Sequence, residues 1–342
     1  MPNPGPSTQR PDIGVREVAA LAQVSPTTVS NVLSGNRPVR EATRERVRWA
    51  IETLGYRPNL SARNLRLRRA ALIAVAVPEI DVPYFAELIR NVVQAARERG
   101  YTVLIDQTEG RLEAERFVLS GMNPGMVDGI LFSPLGIERS EYESRRDTTP
   151  LVLLGERITG SGIDHVAIDN VTAAADATGY LIERGCRRIA AIGHQDPRGG
   201  GTAPQRTEGY RQALEAAGMP YDPALVIHTT KYHRHDGAQA MAEILDRGVQ
   251  PDAIFCYNDL LALGAIHTLH ERGLRVPEDV AVIGIDDIDD GRYSTPTLTT
   301  IAPDKAAIAR TALELLLDRI ADRTRGPRQV VIPHTLTIRR SA

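Results

Sequence analysis

The feature that most constrains this chain is a rhythm of short apolar runs separated by helical stretches, occurring in two series. The first series is Leu72-Ile73-Ala74-Val75-Ala76-Val77, Val103-Leu104-Ile105, Gly129-Ile130-Leu131-Phe132 and Leu151-Val152-Leu153-Leu154. The second is Ile189-Ala190-Ala191-Ile192, Ala253-Ile254-Phe255-Cys256 and Val280-Ala281-Val282-Ile283-Gly284. Runs apolar on every residue are buried on both faces, and strand–helix alternation supplies the cover, so each series predicts a parallel sheet between helix layers. Helices are predicted from Tyr84 to Arg99 and from Gly209 to Ala217. Two series make two lobes, and open sheets of this kind take ligands beyond the carboxyl ends of their strands. The polar residues there are Ser133, Asn258-Asp259 and Asp286-Asp287, with Arg206 in the loop before the helix from Gly209. Carboxylates and amides can hold vicinal hydroxyls, although any one Asp or Asn at such a position serves equally well as a helix cap.

The first 69 residues have a different character. They hold twelve arginines, no lysine and five acidic residues, a charge of +7 inside a chain whose net charge is −2. A basic head on an acidic body is the charge pattern of a phosphate-binding module joined to a separate soluble domain. Val15, Val18, Ala19 and Ala22 recur at helical spacing, predicting a helix from Arg16 to Gln23. Ser25-Pro26 is a hydroxyl cap followed by proline at the first helical position, opening a second helix to Leu33 with Val29, Val32 and Leu33 inward. Its outward side shows Thr27, Thr28, Ser30 and Asn31. A third helix, about Glu41 to Leu54, buries Val47, Ala50, Ile51 and Leu54 and turns Arg44 and Arg48 to solvent. Two short helices joined by a tight turn, the second rich in hydroxyls, fit helix-turn-helix geometry, in which the second helix offers side chains to the major groove.

The stretch Val18-Ala19-Ala20-Leu21-Ala22-Gln23-Val24-Ser25-Pro26-Thr27-Thr28-Val29-Ser30-Asn31-Val32-Leu33 resembles the headpiece of the lactose-repressor (LacI/GalR) family. Thr43-Arg44 and Leu54-Gly55-Tyr56-Arg57-Pro58-Asn59 continue the pattern. The resemblance implies that Pro26, Thr27 and Asn31 face bases while Ser25, Thr28, Ser30 and Asn59 hold phosphates. Two positions depart from the family: Gln23 stands where glycine is usual in the turn, and Arg40 where serine usually caps the third helix. Each costs about 1 kcal/mol. Asn59 to Arg69 resembles the family's hinge, a segment too short to be helical alone that orders on DNA. There Leu65 matches the residue wedged into the minor groove, flanked by Arg63 and Arg66. The resemblance extends over the body through Asp128-Gly129-Ile130, Arg206 with Gly209-Tyr210, Asn258-Asp259 with Leu263-Gly264, Asp286-Asp287 and Leu298-Thr299-Thr300-Ile301. It implies a periplasmic-binding-protein-like core in which Arg206, Asn258 and Asp286 contact an effector, with Tyr232 and the pair Tyr84 and Phe85 as aromatic pocket residues. Val82 replaces the asparagine usual there, and Gly136 lies near a position often polar.

The expected organisation is a tail over 1–12, an all-α helix-turn-helix headpiece over 13–58, a hinge over 59–69 and a two-lobed α/β core over 70–342. Within the core the first lobe spans about 70–168 and 302–328, the second about 169–301 and 329–342. The expected function is sequence-specific repression, a homodimer releasing a palindromic double-stranded DNA operator in response to a small molecule, by the family's pattern a sugar. A corepressor-dependent response to a nucleobase or another metabolite is the alternative. A dimer is expected because no terminal heptad follows Thr335. An exported sugar-binding protein would need a signal segment and has no use for residues 13–66. An α/β enzyme would need a phosphate loop or G-x-G-x-x-G after the first strand, where Pro78-Glu79-Ile80 stands instead. No cofactor is expected, and His233 with His235 lacks a third metal ligand. No run of about 18 apolar residues suggests a membrane span. The two cysteines, Cys186 and Cys256, fit reduced thiols of a cytoplasmic protein.

Overall fold

A computed structural model describes residues 14–34, 37–56, 70–123, 125–155, 162–195 and 201–342. The chain divides after Arg69 into two compact units. In the first, α1 (Val15–Leu21), α2 (Pro26–Ser34) and α3 (Glu41–Leu54) enclose a small core of Val18, Ala19, Ala22, Val29, Val47, Ala50 and Tyr56. The α1–α2 turn is made by Gln23 at φ 52°, so α1 stops at Leu21, short of the expected Gln23. Glycine would take that conformation without steric cost; glutamine is held there by the packing on either side. Ser25 caps α2, its Oγ accepting the Thr28 N–H at 3.1 Å, and Pro26 takes the first helical position. Arg40 provides no side-chain cap for α3. Arg48 is exposed as expected, whereas Arg44 is half-buried and lies 2.6 Å from Glu41 instead of standing free in solvent.

The second unit is two lobes of like topology. The first holds β1 (Leu72–Val77), α4 (Pro83–Glu98), β2 (Thr102–Gln107), α5 (Leu112–Leu119), β3 (Gly129–Phe132), α6 (Arg139–Glu143), β4 (Leu151–Leu154) and β5 (Asp164–Ile168). The chain then crosses to the second lobe through α7 (Asn170–Glu183), β6 (Ile189–His194), α8 (Ala203–Ala216), β7 (Val226–His228) and α9 (Arg234–Asp246). That lobe continues with β8 (Ala253–Cys256), α10 (Asp259–Glu271), β9 (Ala281–Ile285), α11 (Asp289–Tyr293) and β10 (Thr299–Pro303). A return crossing gives α12 (Lys305–Ala321) and β11 (Gln329–Ile332) to the first lobe, and a third puts β12 (His334–Thr337) on the second. The strand orders are β11-β5-β4-β3-β1-β2 and β12-β10-β9-β8-β6-β7. All pairings are parallel except β10 with β12. Burial on both faces is literal in β1: Ile73, Val75 and Val77 join one core while Ala74 and Ala76 join the other.

One boundary differs from the sequence expectation. Residues 329–332 do not belong to the second lobe, because β11 pairs with β5 from Gln329↔His165 to Ile332↔Ile168. The last crossing therefore falls at Pro333. As an edge strand, β11 buries only Ile332 and leaves Val331 63% exposed, so it lacks the apolar run that marks the central strands.

Candidate functional site

Both sheets reverse their strand order at equivalent places, between β1 and β3 in the first lobe and between β6 and β8 in the second. The crevice beyond the carboxyl ends at such a switch point is the natural ligand position of an open α/β sheet. Here the segments leaving those four strands, at Pro78-Glu79, Ser133-Pro134, Gln195 and Asn258, line a single cleft of about 370 Å³. Seven of the residues singled out from the sequence line it as well: Tyr84, Phe85 and Ser133 from the first lobe, and Arg206, Tyr232, Asn258 and Asp286 from the second, whereas Asp259 and Asp287 do not.

Each is held by its own local structure. Tyr84 and Phe85 open α4 and pack edge to face, with ring centroids 5.3 Å apart. The loop carrying Ser133 is fastened by the buried Glu115 carboxylate, which accepts the N–H groups of Leu135 and Gly136 at 2.6 Å each and of Ile137 at 3.0 Å. Arg206 lies in the first turn of α8, not in a loop; Pro204, which reads as a loop residue in sequence, occupies the start of a helix that begins at Ala203. Its buried guanidinium donates through Nε to Asn170 Oδ1 at 2.6 Å and through Nη1 to the Tyr257 carbonyl. Tyr232 donates its hydroxyl to the Gly193 carbonyl at 2.8 Å, and burial raises its pKa. Asn258 caps α10, its Oδ1 accepting the Leu261 N–H at 2.9 Å while Nδ2 donates to the Tyr232 carbonyl at 3.1 Å. Capping and lining the cleft are thus combined in one residue.

Asp286 follows β9 in an uncommon backbone state. Its φ is 123° and that of Asp287 is 47°, two successive left-handed non-glycine residues, a conformation that persists only where its surroundings enforce it. The Asp287 carboxylate accepts from Arg339 at 2.6 Å and Arg292 at 2.9 Å. Burial would raise that carboxyl, but the two guanidiniums prevail and hold it below its ordinary range. Behind the turn Asp259 is fully buried, accepting Thr300 Oγ1 at 2.6 Å and the Ile288 N–H at 3.0 Å. Burial, followed by repulsion from Asp286, pushes its carboxyl up to about 7.

Glu79, Lys231 and His233 line the cleft without having been assigned to it by the sequence. Glu79 accepts Lys231 Nζ at 3.0 Å and lies 2.9 Å from His233 Nε2, a clasp between the lobes at the cleft. Glu79 follows the end of β1 as Ser133 follows β3, so the rule that found one could have found the other. His233, weighed from sequence as a metal ligand, has this carboxylate as its partner.

In the head, α2 leaves Ser25, Pro26 and Thr27 exposed, with Thr28, Ser30 and Asn31 half-buried. The Ser25 and Thr28 hydroxyls are 2.9 Å apart. Asn59, Arg63 and Leu65 lie outside the described residues. Among the described residues no helix is long and apolar enough to cross a membrane.

Comparison with known proteins matches two family models. Residues 15–59 fit "Bacterial regulatory proteins, lacI family", and residues 178–342 fit a periplasmic binding protein-like domain. The HTH-type transcriptional repressor CytR of Escherichia coli (strain K12) is 36% identical over 329 residues, covering 96% of this chain and 95% of that protein. Among solved structures, a complex of the transcriptional regulator CelR with cellobiose is 34% identical, with a TM-score of 0.72 over 96% of this chain and 100% of that one. The lac repressor dimer bound to operator and the anti-inducer ONPF is 23% identical and shares the fold, with a TM-score of 0.84 over 96% of this chain and 98% of that one.

Proposed function

The chain belongs to the lacI family of bacterial regulatory proteins, and on that premise we propose that it is a transcriptional repressor whose hold on operator DNA is set by a sugar bound between its two lobes. The observation that carries this reading is the convergence of seven polar and aromatic side chains, from both lobes and from both switch points, on one cleft. Asp286, Asn258 and Arg206 offer the acceptors and donors that vicinal hydroxyls require, and the Tyr84–Phe85 edge offers an apolar surface for a ring face. Cellobiose in the related CelR complex supports a sugar over a nucleobase.

On the DNA side, residues 13–58 form the reading head and 59–69 the hinge. Pro26, Thr27 and Asn31 on α2 face base edges, and Ser25, Thr28, Ser30 and Asn59 hold phosphates. Arg63 and Leu65 enter the minor groove, where an apolar wedge kinks the duplex. The protein acts as a homodimer on a palindrome, since two-fold symmetry in the reader demands it in the site. Effector binding changes the relative set of the lobes and withdraws the paired hinges, a coupling of about 1–3 kcal/mol. Turnover of the ligand forms no part of this scheme.

Selection from a random DNA pool with the full-length protein, alone and with added sugars and nucleobases, tests the first half, with a palindrome as the expected product; no consensus at physiological salt under any of these conditions would remove the operator reading. A thermal-shift screen of mono- and disaccharides and nucleobases against the wild type and Asp286→Ala tests the second. The sugar that shifts the wild type is expected to leave Asp286→Ala unmoved, while operator binding by that variant persists. A nucleobase hit would replace sugar as the effector class.

A further inference from the structure

We infer that Lys305 is a positioning residue for the effector site: its ammonium sets the Asp286–Asp287 turn of the second lobe and ties it to helix α4 of the first, which carries Tyr84 and Phe85. This rests on the reading that Asp286 contacts the effector. Lys305 is the first residue of α12, immediately after the chain crosses from β10, and its side chain is only 10% exposed. Nζ donates to the Asp286 carbonyl at 2.6 Å and to the Asp287 carbonyl at 3.0 Å. It also lies 2.7 Å from Glu87 Oε2, a carboxylate 19% exposed on α4. An ammonium has three N–H donors and no acceptor, and here it donates to two carbonyls while its charge is paired with a carboxylate.

The geometry bears on two features of the site. Two consecutive aspartates hold left-handed backbone without glycine's freedom. Their carbonyls point inward to a region where a buried acceptor needs a donor, and the lysine supplies one to both. A nearly buried ammonium also needs a counter-charge, which Glu87 provides from α4 of the same lobe, while the two carbonyls belong to the second lobe. Asp259 fastens the far side of the turn through Ile288 N–H and Thr300 Oγ1. The turn is thus clamped from both sides, and Lys305 is the clamp that comes from the first lobe. Tyr84 and Phe85 lie within one helical turn of Glu87, so the two halves of the cleft share a single cation.

The test is amide hydrogen exchange on the full-length, ligand-free protein, whose outcome does not depend on whether Asp286 touches an effector. Lys305→Met keeps the chain length and removes the donors. It is expected to speed exchange in the segment 286–291 by about tenfold or more, while β6 in the same lobe keeps its wild-type rate. Lys305→Arg, which restores charge and donors, is expected to recover most of that protection. Glu87→Gln, milder and independent of how well Lys305→Met folds, is expected to speed exchange both in the first turn of α4 and at 286–291. An unchanged turn in Lys305→Met, a uniform rise in all segments, or a Glu87→Gln effect confined to α4 would each overturn the assignment. A failed effector response in Asp286→Ala speaks to the cleft reading instead and leaves these rates untouched.

Discussion

Replacing Asp259 by Asn should remove a slope from the protein's stability–pH curve. Asp259 is fully buried against the Asp286 turn, and its carboxyl is pushed up to about 7 in the folded protein, from an ordinary value of 3.8. The native state therefore holds a proton that the unfolded chain releases. Between those two values the folded form binds one more proton than the unfolded form, so stability falls as pH rises through the window and levels off above about 7. One group contributes at most about 1.4 kcal/mol per pH unit, hence at most roughly 4 kcal/mol across the window. Urea unfolding followed by circular dichroism, from about pH 5 to about pH 9 in wild type and variant, isolates the effect. Absolute stabilities differ because the asparagine alters the bonds to Thr300 and Ile288, but that offset is nearly independent of pH, and the other titrating groups cancel in the difference. The wild-type curve is expected to descend relative to the variant below about pH 7 and to run parallel above it. Parallel curves throughout, or a wild-type curve that rises with pH relative to the variant, would show that Asp259 is ionised in its site and that burial does not govern it.

Other perturbations separate the parts of the molecule. A methyl group added at Gly264 on α10 would overlap the Arg234 carbonyl where α9 crosses. Gly264→Ala should therefore cost about 1–3 kcal/mol in denaturant unfolding, and a neutral result would mean that the helices can part without penalty. Ser25→Ala removes the α2 cap and should destabilise the head by about 1 kcal/mol. The chain's single tryptophan, Trp49, lies in that head and is 56% exposed, so a shift seen by fluorescence but not by circular dichroism of the core locates the loss. Leu65→Ala should weaken binding to a selected operator more than binding to random DNA, measured by competition at fixed salt. Equal losses would dismiss the wedge.

What was readable from the sequence follows from how each residue earns its position. β1, β3, β4 and β8 sit at the centre of parallel sheets, where both faces are buried, and their apolar runs delimit them to the residue. β5 carries Asp164 and His165 and β11 carries Gln329, so their pairing rests on partners far along the chain and leaves no local run to find. The same difference divides the cleft. Ser133, Asn258 and Asp286 were found because a polar residue directly after an apolar run marks a strand's carboxyl end. Glu79 obeys the same rule but was weighed only as a failed phosphate loop, and its partners Lys231 and His233 come after the three-residue β7, too short to advertise itself. Lys305 is the hardest case. It reads as an ordinary charged residue in the first turn of a helix, where a cation even opposes the helix dipole. Only the fold reveals why it is there: the crossing from β10 brings its ammonium to two carbonyls of a left-handed turn and to a carboxylate on the other lobe. Residues whose role is local are visible in the sequence, whereas residues that join the lobes become visible once the crossings are known.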